Sequence, residues 1–418
     1  GAYMIKKILI AAMCIASVFV TTACQSSSAS TSEPTSASPT TENKSWNTED
    51  YMIPFWKTDK IVDESVLLIS KGDEAAEGEL LFAPDKIESV VSYNPYAAKT
   101  IVYAEGEDYV VEGKKIKAVS KKMPFMTEEQ LSGQDKMSGF DYSQIPSTDK
   151  GLYLPFTEST GFIEKQIFVT YTHAEKWNKE TPAYIGDRFS NLAKRIANKE
   201  KINLFVYGDS ISTGANSSGY LNVYPNKPSW PQAVRKGLSD QYGTEVELVN
   251  KAVGGWTSEN AVKSQESIGW VNGKQISQAG IKVTLEEMPD YKPDLAVIGF
   301  GMNDATMGIS KTAYRAYMQK IIKTIKDRNS DCEFILLGTM LANPKAYNQS
   351  KNQISYYDEL LKIAEGDDKV VSVNIGKMHD DLLVSGKKYA DMTSNNVNHP
   401  NDFMASVYAM NILSLLIK

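Results

Sequence analysis

The feature that most constrains this chain is a change of hydrophobic period near residue 187. Beyond it, apolar strand-like runs at 202–207, 246–249, 295–300, 334–337 and 370–373 alternate with helical stretches. The clearest helix is 311–328, where Tyr314, Tyr317, Met318, Ile321, Ile322 and Ile325 recur at three- and four-residue spacing and form one apolar face. Residues 403–416 read as a closing helix. A helix between two strands carries the chain back across the sheet, so successive strands run parallel and the sheet needs helices on both faces. The fold class expected for 187–418 is α/β, a parallel sheet in a three-layer α/β/α arrangement.

Residues 46–186 follow a different rule. Thr100-Ile-Val-Tyr103, Tyr109-Val-Val111, Lys115-Ile-Lys-Ala-Val119 and Ile167-Phe-Val-Thr-Tyr-Thr172 are short apolar runs separated by Gly, Pro, Asn and Asp. No long helical stripe interrupts them. A small all-β sandwich or jelly roll is expected there, with 123–151 as a polar, proline-containing irregular excursion.

The first 45 residues belong to neither pattern. Lys6 and Lys7 precede an apolar run of about thirteen residues, too short to span a bilayer as a stable helix and suited to a secretory signal. Thr21-Thr22-Ala23-Cys24 follows, and small residues before a cysteine resemble the lipobox of bacterial lipoproteins. Thr21 departs from the Leu or Val usual there. The resemblance implies cleavage after residue 23 and a lipid on Cys24; plain secretion is the alternative. Residues 25–45 are nearly all Ser, Thr, Ala, Pro and Glu, with too little apolar surface to offset the entropy of ordering. They read as a flexible tether. The expected organisation is 1–24 signal peptide, 25–45 tether, 46–186 β domain and 187–418 α/β domain, with an extracytoplasmic, membrane-anchored location.

Composition narrows the function. The chain has 45 Lys+Arg against 51 Asp+Glu, a formal charge of −6. That balance disfavours nucleic acid as a partner, since binding it needs a basic surface to displace counterions. Only three histidines occur, dispersed and without ligand spacing, so no metal is expected. Of three cysteines, Cys332 opens an apolar strand-like run and reads as a buried structural thiol.

In an open parallel sheet, sites form outside the carboxyl ends of the strands. The residues following the strand candidates are Gly208-Asp209-Ser210, Asn250-Lys-Ala-Val-Gly-Gly-Trp-Thr257 and Gly301-Met-Asn-Asp304, with Asn396-Val-Asn-His-Pro400 near the C-terminus. Glycine before an exposed serine lets the backbone turn and present the hydroxyl. A serine, a histidine and several hydrogen-bond donors are what acyl transfer needs.

These blocks, in this order, resemble the SGNH/GDSL hydrolase superfamily over residues 187–418. The resemblance implies a flavodoxin-like three-layer fold and serine ester hydrolysis without a cofactor. It implies Ser210 as nucleophile, His399 as general base, and an oxyanion hole from the N–H groups of Ser210 and Gly255 and the amide of Asn303. The resemblance places Gly255, the second glycine of the Gly254-Gly255 pair, in that role. The family usually has Asp three residues before the histidine; here that residue is Asn396. Asn396 could orient His399 without supplying charge, or it could cap the last helix. Asp391, Asp402 or a backbone carbonyl are the alternatives, and a Ser–His dyad is a third outcome.

Other residues carry blander readings. Asp209 and Asp304 are expected to tie turns and loops together. Trp256 is either a sugar-stacking wall or a core aromatic. Asn216 reads as a loop former beside the pocket, His173 as a packed hinge residue, and His379, beside Asp380 and Asp381, as a solvated surface group. A β-rich segment before such a hydrolase is similar to the arrangement of bacterial carbohydrate esterases. That likeness implies an acylated carbohydrate partner and removal of O-acetyl groups, by an enzyme held at the membrane through its N-terminal lipid. A lysophospholipase or thioesterase of the same fold is the alternative, and a non-catalytic glycan-binding surface protein is another.

Overall fold

The computed structural model describes residue 50 and residues 52–137, 142–185, 188–349 and 352–417. The signal, Cys24 and the tether lie outside the described residues.

Eleven described strands build the N-terminal part: β1 (Lys60–Leu67), β2 (Ile69–Ser70), β3 (Glu77–Glu79), β4 (Lys86–Asn94), β5 (Lys99–Val102), β6 (Tyr109–Glu112), β7 (Lys115–Ala118), β8 (Met126–Thr127), β9 (Ser143–Pro146), β10 (Tyr153–Phe156) and β11 (Gln166–Thr172). Four of them form an antiparallel sheet in the order β1-β11-β4-β5. A second sheet has the order β6-β7-β3-β2-β8, antiparallel except where β2 meets β8. The turn between β6 and β7 places Gly113 at φ +59°, a conformation glycine adopts without steric cost. The stretch expected to be irregular, 123–151, holds β8, β9 and the short helix Glu128–Leu131. β9 pairs with β10 in a hairpin whose buried residues are Ile145, Leu154 and Pro155, too few apolar positions to stand out in the sequence.

Beyond residue 187 come β12 (Ile202–Gly208), β13 (Val246–Asn250), β14 (Ser267–Val271), β15 (Lys274–Gln278), β16 (Leu295–Gly299), β17 (Glu333–Gly338) and β18 (Val370–Asn374). Five of these form an all-parallel sheet in the order β13-β12-β16-β17-β18, while β14 and β15 make a separate hairpin. Side chains alternate across the sheet, as the two-residue period requires. Leu204, Val206, Val297, Ile335 and Leu337 pack in one core with helices Trp230–Tyr242 and Asp402–Leu416. Phe205, Tyr207, Ala296, Ile298 and Leu336 pack in another with Tyr314, Met318, Ile321 and Ile325 of helix Lys311–Arg328. The helix stripe read from the sequence is buried except at Tyr317, which is half-buried at its edge.

Residues Trp46–Lys418 form one compact unit. The first core continues into the β-rich part through Ile61, Val66, Val169 and Tyr171. Helix Asp402–Leu416 is buried on every side because it lies between that part and the parallel sheet. Polar contacts join the same two parts. Lys387 Nζ meets Glu64 Oε1 at 2.6 Å, both side chains fully buried. Gln166 Nε2 donates to the carbonyls of Ala390 at 2.8 Å and Thr393 at 3.0 Å. Strands β1 and β11 thus hold the loop that carries the C-terminal motif.

Candidate active site

Strand β12 ends at Gly208, where a Cβ would lie 2.3 Å from both Gly299 O and Ser212 Oγ. Only glycine lets the chain turn there against β16. Asp209 caps the short helix Ser210–Thr213 by accepting from Ile211 N at 3.0 Å. Ser210 therefore stands at the first helical position, partly exposed, at the carboxyl end of the sheet. Gly214 at φ +86° and Asn216 at φ +65° then fold the chain back over Ser210.

His399 arrives on a loop fixed from within. Asn395 Oδ1 accepts from the N–H groups of Val397, Asn398 and His399, each at 3.0 Å. Thr393 Oγ1 donates to His399 O at 2.9 Å. In this position His399 Nε2 lies 2.8 Å from Ser210 Oγ, and His399 Nδ1 lies 2.5 Å from Asn216 Oδ1. An amide oxygen only accepts, so this pairing assigns the hydrogen to Nδ1 and turns the Nε2 lone pair toward the serine hydroxyl.

Asn396 and Asp391 do not reach the histidine. Asn396 Nδ2 donates to Pro155 O at 3.1 Å, and Asn396 Oδ1 accepts from Asn343 Nδ2 at 3.1 Å. Its φ of +64° turns the side chain toward β10. Asp391 Oδ1 accepts from Leu67 N at 2.8 Å, and Asp391 Oδ2 from Lys388 N at 2.7 Å. Oδ1 holds the loop against β1, and Oδ2 braces the loop's own turn. Asp402 caps no histidine either; Asp402 Oδ1 accepts from Ser218 N at 2.8 Å.

The glycine pair divides its work. Gly254 N–H is consumed by Trp270 O at 2.7 Å, in a bridge to β14 that Trp270 N returns to Gly254 O at 3.1 Å. Gly255, at φ +80°, donates its N–H to no described residue. The geometry therefore selects Gly255 over Gly254 as the available donor. Asn303 Nδ2 donates to Trp256 O at 2.9 Å, which ties the third motif to the second and leaves one amide hydrogen uncommitted.

Two carboxyls lie beneath these loops. Burial pushes Asp209 up to about 7, against the lowering effect of the Ile211 N–H. Burial likewise pushes Asp304 up to about 6, against the hydrogen bonds from Ser258 Oγ at 2.5 Å and Ser258 N at 3.0 Å. Both tie loops together, as the sequence suggested. Trp256 is a core aromatic whose Nε1 donates to Ile268 O at 3.0 Å. The aromatic beside the glycine pair is instead Trp270. His173 is buried against Phe82, with ring centroids 4.1 Å apart.

His379 is a correction. It is fully buried, accepts from Leu341 N at 3.1 Å, and burial lowers it to about 3. Its acidic neighbours suggested water, but on helix Ile375–Val384 it shares a buried face with Ile375, Met378 and Leu382. The sequence missed Asn216 as a histidine partner. The signal available was its place in the same short block as Ser210, after a glycine that reverses the chain. Among the described residues no group of three or more His, Cys, Asp or Glu side chains is arranged to hold a metal ion.

Residues 206–404 match the model of the GDSL-like lipase/acylhydrolase family. Over those residues the chain is similar to that family. No curated protein matches the sequence at a significant level. The GDSL-like chain is similar to several solved structures. One is a two-domain esterase active on acetylated mannans, 15% identical over 56% of this chain and 54% of that one, with a TM-score of 0.41. The chain thus spans about half the length of that esterase. Another is an acetyl-xylooligosaccharide esterase from Geobacillus, 17% identical over 51% of this chain and 92% of that one, with a TM-score of 0.37. A third is a carbohydrate esterase with a carbohydrate-binding domain from Corynascus, 14% identical over 86% of this chain and 95% of that one, with a TM-score of 0.35. What those enzymes act on is a property of those enzymes. The reading of the GDSL-like site rests on its own geometry.

Proposed function

We propose that this GDSL-like hydrolase is a serine esterase that removes O-acyl groups, chiefly O-acetyl, from carbohydrate outside the bacterial membrane. The observation that carries the esterase chemistry is Ser210 Oγ at 2.8 Å from His399 Nε2, with Asn216 fixing the ring. Ser210 Oγ attacks the ester carbonyl as His399 Nε2 takes its proton. The tetrahedral oxyanion is held by the N–H groups of Ser210 and Gly255 and by the uncommitted hydrogen of Asn303. His399 then passes the proton to the leaving sugar oxygen. Water, deprotonated by the same nitrogen, releases the acid from Ser210.

The preference for acetyl is supported by the likeness of the sequence to bacterial carbohydrate esterases alone. Membrane tethering is supported by the sequence around Cys24 alone. Fluorophosphonate labelling that survives Ser210→Ala would defeat the enzyme assignment. Faster hydrolysis of medium-chain esters than of acetylated glycan would replace the carbohydrate reading with a lipid or thioester one. Loss of metabolic palmitate label and of membrane association in Cys24→Ala is the result expected of the anchor; release without loss of label overturns it.

A further inference from the structure

Asn216 orients His399 but brings no charge, although the imidazole becomes a cation each time it accepts the serine proton. The nearest negative charge comes from the β-rich part. Glu158 Oε2 lies 3.4 Å from His399 Nδ1, on the side that Asn216 also faces. Glu158 follows β10 in a loop that is fixed at both ends. Thr157 Oγ1 meets Ser159 Oγ at 2.7 Å and accepts from Ser159 N at 3.0 Å. Thr160 Oγ1 donates to Glu164 Oε1 at 2.6 Å and meets Tyr96 OH at 2.9 Å. Strand β10 itself is docked on the histidine loop through Pro155 O and Asn396, and through a cluster of Ile145, Leu154, Ala346 and Val397. The backbone under Glu158 is thus held relative to His399 by the contacts that Asn396 makes instead of touching the ring.

We propose that Glu158 is a positioning residue for the serine chemistry, supplying from the β-rich part the negative charge that Asn216 lacks. The inference rests on the serine-esterase reading above. Asn216 takes the Nδ1 hydrogen at 2.5 Å; at 3.4 Å Glu158 acts chiefly through its field on the imidazolium. The β-rich part then has a part in the reaction besides holding the loop. Because the Glu158 side chain is 54% exposed, water and salt screen it, and its effect is that of a half-exposed ion pair.

The test uses the full chain with Ser210-dependent fluorophosphonate labelling, kcat and KM on an aryl acetate, and kcat at low and high salt. Absence of Ser210-dependent label in wild type overturns the esterase reading itself. With label present, Glu158→Gln and Glu158→Ala are each expected to lower kcat about fivefold, with KM within about twofold of wild type. Wild-type kcat is expected to fall toward the variants' value as salt rises, while the variants stay flat. A packing role would spare the isosteric Gln and show no salt dependence. Full kcat in Glu158→Gln, or equal salt dependence in wild type and variant, overturns the inference while leaving Ser210 and His399 in place.

Discussion

Asn216→Gly isolates the hydrogen bond that orients the histidine. Asn216 sits at φ +65°, so alanine would add backbone strain, whereas glycine removes the side chain and keeps the turn. The bond lost is the 2.5 Å contact from His399 Nδ1 to an amide oxygen. Before proton transfer the imidazole is neutral, and such a bond contributes about 1 kcal/mol. In the transition state the ring is charged and the bond contributes roughly 1.5–3 kcal/mol, so the difference of roughly 0.5–2 kcal/mol falls on kcat. At about 1.4 kcal/mol per factor of ten, kcat should drop between about twofold and about thirtyfold. KM should change little, since Asn216 is buried behind the ring. The assay is steady-state hydrolysis of an aryl acetate, with a thermal melt to confirm folding. A folded Asn216→Gly enzyme with kcat within twofold of wild type would refute the reasoning.

Asn396→Gly, which keeps the left-handed backbone at φ +64°, should leave kcat within about threefold of wild type, because the amide serves Pro155 and Asn343 rather than the ring; a loss equal to that of His399→Ala would reinstate it as the orienter. His379, lowered to about 3, is protonated more readily unfolded than folded, so its contribution is present above pH 6.5 and is lost as pH falls toward 3. Denaturant melts should therefore show wild type losing roughly 3 kcal/mol more than His379→Gln between pH 7 and pH 4. Lys227 is fully buried with Nζ at 2.9 Å from Asp63 Oδ2, so Lys227→Met should destabilise by about 3–5 kcal/mol, and Asp63→Asn in the same chain, which removes the charge and suits the backbone at φ +53°, should recover much of that. Equal melting curves for the single and double variants would show that Asp63 is not left stranded.

The elements were legible because they are written in local periodicity. The short continuous apolar runs of β12 and β16 and the helical stripe of 311–328 give strands, a helix and the parallel direction without any long-range contact. The places of Ser210, Gly255 and Asn303 followed, since a parallel sheet gathers what comes after its strands at one edge; His399 lies beyond helix Ile375–Val384, and its expected role came from the family resemblance. The burial of His379 was also available in principle, as Ile375, Met378 and Leu382 mark its helix face, but Asp380 and Asp381 drew attention to charge instead of period. What the chain does with its acids was not available. Asp391 serves Leu67, 324 residues away in sequence; Asn216 meets His399 across 183 residues. Glu158 reaches the ring only because β10 docks on the histidine loop. By itself the sequence determined the layers of the α/β part and which motif residues share an edge, because both depend on backbone period and direction. Only the tertiary structure decided which polar side chain faces the histidine, because that depends on how buried donors and acceptors far apart in the chain satisfy one another.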